Sequence, residues 1–203
     1  MMNKNHIIAY LIISIMVLTA SCKPIPAKTI VISANENQEI FWKELNAICG
    51  KAFEGVVMNA PANDTVFKDQ RLIMHVRSCN IDIIRIPFMV GNNRSRTWIF
   101  KRSGTSIILK HDHRHEDGKE DDVTQYGGET ANTGTSTLQV FPADEHTIKI
   151  IPAALTNVWW VELVPGKYFT YNLRRVNTDR LFSIRFDLSK AITVPEAPWG
   201  WKD

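Results

Sequence analysis

From Gly50 onward the chain sustains no helical period. Short runs rich in β-branched and aromatic residues follow one another, separated by turn residues, and this pattern restricts the fold to an all-β class. The expected strands are 53–60, 71–78, 81–90, 95–101, 105–115, 135–141, 146–151, 156–164, 167–175 and 180–188. Pro61-Ala62-Asn63-Asp64, Gly91-Asn92-Asn93, Ser103-Gly104, Asp117-Gly118, Gly127-Gly128 and Pro165-Gly166 break them. Ahead of them, Asn35 to Gln38 can start a helix. Ile40, Phe41, Leu45 and Ile48 fall near one helical face, and Gly50 is a good stop. One helix and then an unbroken series of strands predicts a single antiparallel up-and-down β-barrel closed by a short N-terminal helix. A jelly-roll-like sandwich is the alternative. Residues 116–136 form the longest irregular stretch, and the tail from Glu196 carries Trp199 and Trp201, expected to pack across the outside or plug one end.

The first residues have a different texture. Ile7 to Leu18 is almost wholly apolar, and Thr19-Ala20-Ser21 then leads into Cys22. That is the layout of a secretory signal, with an apolar run short of the ~20 residues a membrane helix needs. A Cys directly after small residues resembles a bacterial lipoprotein signal. The resemblance implies that 1–21 is removed and that Cys22 is lipidated at the new N-terminus. Residues 22–36 then read as a tether stiffened by Pro24 and Pro26, and 37–203 as one barrel domain with a Trp-rich tail. Lys23 is not the Asp that marks inner-membrane retention in some bacteria, so the outer membrane is the expected location. Cys49 and Cys79 remain, and outside the cytoplasm they are candidates for a disulfide. A loop of 30 residues closed that way stabilises by roughly 3–4 kcal/mol in the chain-entropy account. Net charge is +3 with no long basic run, which argues against a nucleic-acid partner.

The most informative stretch is Leu109 to Gly118, LKHDHRHEDG. Successive strand residues alternate faces, so Ile107, Leu109, His111, His113 and His115 share one face and Ile108, Lys110, Asp112 and Arg114 the other. The first set begins as a core face and ends in imidazoles, which places the histidines at the mouth of the barrel. Residues two apart lie roughly 7 Å apart along a strand and residues four apart roughly 13 Å, so one strand supplies two ligands to a single ion. The metal candidates on this strand are His111 with His113, or His113 with His115, and zinc is the natural ion for imidazole. His146, His75 or Glu145 would complete the set. His75 has the parity opposite to Leu72, Met74 and Val76. The acidic turn from Glu116 to Asp122 lacks the ligand spacing of a calcium loop.

Arg85 shares parity with Ile81 and Ile83. If that face turns inward, Arg85 holds an anionic head group or pairs with an internal acid. Asn157 to Arg175 is the clearest hairpin, turning at Pro165-Gly166, with Trp159, Val161 and Leu163 on one face. Tyr168 and Tyr171, together with Arg85 and His115, are the candidate ligand-lining residues. No nucleophile elbow or phosphate loop is present.

FEG at 53–55, MHVRSC, SRTW, LKHDHRHEDG, YGG and FPADE resemble an uncharacterised family of bacterial secreted proteins and lipoproteins over about Leu45 to Trp201. That family carries no assigned activity, so the resemblance implies no catalytic residue. Phe53-Glu54-Gly55 is also similar to the aromatic-x-Gly that opens the first strand of lipocalin-like (calycin-like) barrels. The expected function is a lipid-anchored envelope barrel that captures a small molecule or a divalent metal such as zinc without turnover. One alternative is a metal-dependent hydrolase with Glu116 or Asp144 as base. Another is a structural lipoprotein with a solid core.

Overall fold

The computed structural model describes residues 34–202; the expected signal segment, Cys22 and the expected tether through residue 33 lie outside them. Helix α1 (Ala34–Ala47) precedes β1 (Ala52–Asn59), β2 (Leu72–His75), β3 (Ser78–Cys79), β4 (Ile83–Val90), β5 (Asn93–Ser103), β6 (Ser106–His113), β7 (Tyr126–Glu129) and β8 (Leu138–Pro142). A short helix α2 (Glu145–Ile150) then leads to β9 (Asn157–Val164), β10 (Tyr168–Arg175) and β11 (Leu181–Asp187). All pairings are antiparallel, in the order β7-β6-β5-β4-β2-β1-β11-β10-β9-β8, with β3 a two-residue branch on β4. Apart from that branch, every strand lies beside its neighbours in sequence, and β1 pairs with β11 through Gly55 and Phe186. The fold is therefore the all-β, up-and-down barrel that the strand series predicts. Closure removes the exposed strand edges that an open sheet would offer to other chains.

The circle closes at a seam between β7 and β8, which share a single bridge, Gly128 to Ala143. The seam is held by the Asp144 amide, which donates to Gly127 O at 3.0 Å. The Thr147 hydroxyl also accepts from Gly127 N at 2.6 Å and donates to Gly127 O at 2.8 Å. The backbones approach so closely that a Cβ on Gly128 would sit 1.7 Å from Pro142 O, and one on Gly127 1.9 Å from Leu109 O. Here glycine is a packing requirement.

Two expectations fail around this seam. Residues 126–129 form a strand inside the stretch expected to be irregular, and 146–151, expected as a strand, is largely α2. Thr147, Ile148, Ile150 and Ile151 suggest β-structure by composition. The Asp144 carboxylate, however, accepts from Thr147 N at 2.9 Å and caps a helical turn.

Apolar positions of the strands fill the interior. Phe53, Leu72, Met74, Ile84, Ile86, Phe100, Leu109, Phe141, Val161, Phe169, Ile184 and Phe186 are all buried in one cluster. Helix α1 adds Phe41, Trp42 and Leu45 to it. The helix sits at the end that carries the β5–β6 turn. Gln38 Nε2 donates to Thr130 Oγ1 at 2.9 Å, Arg102 pairs with Glu39 at 2.8 Å, and the Arg102 guanidinium lies 4.9 Å from the Trp42 ring. Cys49, just past the helix, is bonded to Cys79 on β3, with Cα atoms 6.2 Å apart. One end of the barrel is thus stoppered by α1 and fastened covalently.

The C-terminal segment runs across the outside. Ile192 N donates to Ala52 O, and Trp199 N donates to Arg94 O. Ile192 packs on Ala52, Ile73 and Met89, all buried although they lie on the outer face, and Arg77 stacks on Trp201 at 5.1 Å. His75 is outward, as its parity predicts, yet only 3% exposed in this covered region.

Candidate functional site

The end opposite α1 is built from the β1–β2 connection (60–71), the start of β7, the start of β9 and the β10–β11 turn. His111 is carried there by β6, paired across the sheet with Trp98 on one side and Tyr126 on the other. The histidine strand keeps its register this far, and His111 points inward, 2% exposed. Its Nδ1 lies 2.9 Å from the carbonyl oxygen of Tyr126, which can only accept, so Nδ1 carries the proton. Nε2 is then the acceptor for the Tyr171 hydroxyl at 2.7 Å. Tyr126 stacks on the imidazole at 4.5 Å, and Tyr171 stacks on Trp98 at 4.4 Å. His113 faces the same way, partly buried, with Nε2 3.0 Å from Tyr126 Oη.

Burial governs the protonation of this network. It pushes His111 down to about 3, outweighing the opposing effect of the bond to the Tyr126 carbonyl. It pushes His113 down to about 4, with help from the Arg96 guanidinium. Burial also raises Tyr126 to about 12 and Tyr171 well above the ordinary phenol value. At neutral pH the cluster is therefore two neutral imidazoles and two neutral phenols.

Beside this network lies a cavity of ≈ 240 Å³. Trp159, Tyr171, Leu173, Phe182, Tyr126 and Phe67 make its apolar wall, and Asp64, Asn157, Arg175 and Arg180 give it polar groups. Phe67 comes from the β1–β2 connection and packs against Phe182, the ring centroids 4.3 Å apart and the planes tilted by 38°. The loop that presents it is shaped by Asp64, whose carboxylate accepts from the amides of Phe67 at 3.0 Å and Lys68 at 3.2 Å. Arg96, inward on β5 and opposite His113, lies 5.9 Å from the Phe67 ring.

Several expected site residues lie elsewhere. Strand β6 ends at His113, and His115 is exposed in a tight turn in which its amide donates to Lys119 O and its carbonyl accepts from Gly118 N. Arg85 is on the outer face, because Ile84 and Ile86 are the residues of β4 that enter the core, while Ile81, in the preceding turn, is 80% exposed. It lines a polar groove under the C-terminal tail with Thr97, Asp112 and Trp199. Tyr168 is also outside, bonded to Glu162 and stacked with Arg185, since Phe169, Tyr171 and Leu173 take the inner face.

His146 is exposed on α2, so it does not join His111 and His113. Among the described residues no group of three His, Cys, Asp or Glu side chains is placed to hold a metal. Asp144, considered as a base, is committed to the α2 cap and to an ion pair with Lys110. Burial alone would raise its carboxyl, but the bonds from Lys110 and Thr147 outweigh this and hold it below the usual value. Glu116 is exposed.

Sequence reasoning did not place Tyr126, Trp159, Phe67, Leu173 and Phe182, or the guanidinium groups of Arg96, Arg175 and Arg180, at this site. Leu173 and Arg175 share the parity of Tyr171, which was a usable signal. Phe67 sits on a connection without periodicity, where no pattern marks it. Comparison with protein-family models, curated proteins and solved structures finds no match.

Proposed function

We propose that this protein is a binding barrel that captures a small, flat, largely apolar molecule at its mouth and does not turn it over. The observation that carries this reading is the cavity of ≈ 240 Å³ walled by Trp159, Tyr171, Leu173 and Phe182 at the end that α1 leaves unstoppered. Below it the interior is filled by side chains, so the ligand is a one- or two-ring molecule or the end of a longer one. Ligand pockets are commonly about 300–1,000 Å³, and this one lies just under that range. The reading also includes a lipid on Cys22 tethering the barrel to an envelope membrane, most naturally the outer one.

Both nitrogens of His111 are already engaged by protein groups. This favours an organic ligand over zinc on His111 and His113, and capture over metal-dependent hydrolysis. The test is calorimetric titration with 1-naphthalenemethanol, a neutral two-ring probe. Saturable binding is expected, and Leu173→Trp, which fills the cavity, abolishes it while the far-ultraviolet circular dichroism stays unchanged. Absence of binding, or equal binding by the filled variant, overturns the reading.

A further inference from the structure

The charges around the same cavity specify the kind of ligand further, and this step rests on the binding reading above. Two guanidinium groups, Arg175 and Arg180, line the cavity together with one carboxylate, Asp64. Asp64 spends its oxygens on the backbone amides of residues 66–68. Arg175 Nε donates to the neutral Asn157 Oδ1 at 2.9 Å. Arg96 Nη1, on the far side of Phe67, bonds only neutral oxygens, Asn93 Oδ1 at 3.0 Å and Ser95 Oγ at 3.4 Å. Among the described residues no ion pair is formed by Arg96, Arg175 or Arg180, whereas Arg71, Arg94 and Arg102 each have one and Arg114 has two. Arg180 is exposed and Arg175 half-buried, so water can solvate both, but no acid of the described residues neutralises either one, and an anion in the cavity would find them uncompensated.

We infer that the mouth selects small aromatic carboxylates. The ring would lie against Trp159, Tyr171 and Phe182, and the carboxylate would meet Arg175 and Arg180. The planar guanidinium fork matches a carboxylate in a way a simple ammonium does not. The neighbouring phenols and imidazoles are uncharged donors and acceptors that neither repel nor neutralise it. A cationic ligand would meet two like charges and no carboxylate that is not already engaged.

The experiment compares three probes with one ring system: 1-naphthoate, 1-naphthalenemethanol and 1-naphthylmethylamine, titrated calorimetrically into the purified protein. Naphthoate is expected to bind about tenfold more tightly than the alcohol, and the amine more weakly than either. Arg175→Gln/Arg180→Gln is expected to bring the ratio of naphthoate to alcohol affinity from about ten to about one. Should the double variant misfold, Arg180→Gln alone carries the test, because Arg180 is exposed on a turn. It is expected to lose part of the naphthoate preference. Equal affinity of naphthoate and alcohol in the wild type, or a preference untouched by Arg180→Gln, overturns the charge selection while the cavity reading stands. Failure of all three probes to bind overturns both.

Discussion

Acid should destabilise this barrel well above the range in which carboxylates titrate, and the two inward histidines set the size of the effect. His111 has an ordinary value of 6.5 that burial lowers to about 3, and His113 one that burial lowers to about 4. In each case the unfolded chain binds the proton more readily than the folded one, so stability is full above about pH 7.5 and falls as pH drops through 6.5. The loss continues until the folded-state values near 3 to 4 are reached. At pH 5 an unfolded histidine is almost fully protonated while folded His111 is not. The cost is about 1.5 pH units at 1.36 kcal/mol each, or about 2 kcal/mol. His113 is partly exposed, so its contribution is discounted to about 1 kcal/mol. His75, also lowered by burial, acts in the same direction. Urea unfolding at pH 8, 7, 6 and 5 should therefore show a fall of about 3 kcal/mol. His111→Gln and His113→Gln should flatten the slope even if their stability at pH 8 is lower. A change under about 0.5 kcal/mol between pH 8 and pH 5, or variants with the wild-type slope, would refute the burial argument.

Two further perturbations address the ends and the seam. Gly128→Ala drives a methyl group into the Pro142 carbonyl and must part β7 from β8. We expect a loss of at least about 1–3 kcal/mol together with faster hydrogen exchange at the Asp144 amide; wild-type values for both would contradict the seam geometry. Cys49→Ser/Cys79→Ser releases the α1 end and should cost about 3–4 kcal/mol in urea unfolding. A denaturation midpoint unchanged from the oxidised wild type would show that the bridge holds nothing.

Much of the architecture is legible because the strands alternate. The hairpin 157–175 is read correctly from Pro165-Gly166 and the parity of Trp159, Val161 and Leu163, and the same parity turns His111 inward. What hides from the sequence are features decided by distant backbone. Strand β7 is masked by the two glycines that the close approach of β6 and β8 demands. Helix α2 is masked by β-branched residues, although its Asp144 cap is visible four residues ahead of Ile148. Arg85 does share a face with Ile83, but that face is the outer one: the apolar character of Ile81 and Ile83 suggests a core face, whereas Ile84 and Ile86 are the residues that enter the core. The cavity joins Phe67, Trp159 and Arg180 from three separated segments, and no local pattern records that meeting.

The pairing of β1 with β11, and the tail laid over Ile73 and Met89, tie the beginning of the domain to its end. The cylinder cannot close before Leu181–Asp187 is in place, because β1 has no other partner on that side. Without β11 the first strand has a vacant flank, and without Ile192 the side chains of Ile73 and Met89 face water. Closure is thus a meeting of segments distant along the chain, and loss of the segment around Ile192 would remove the latch while leaving every wall strand in place.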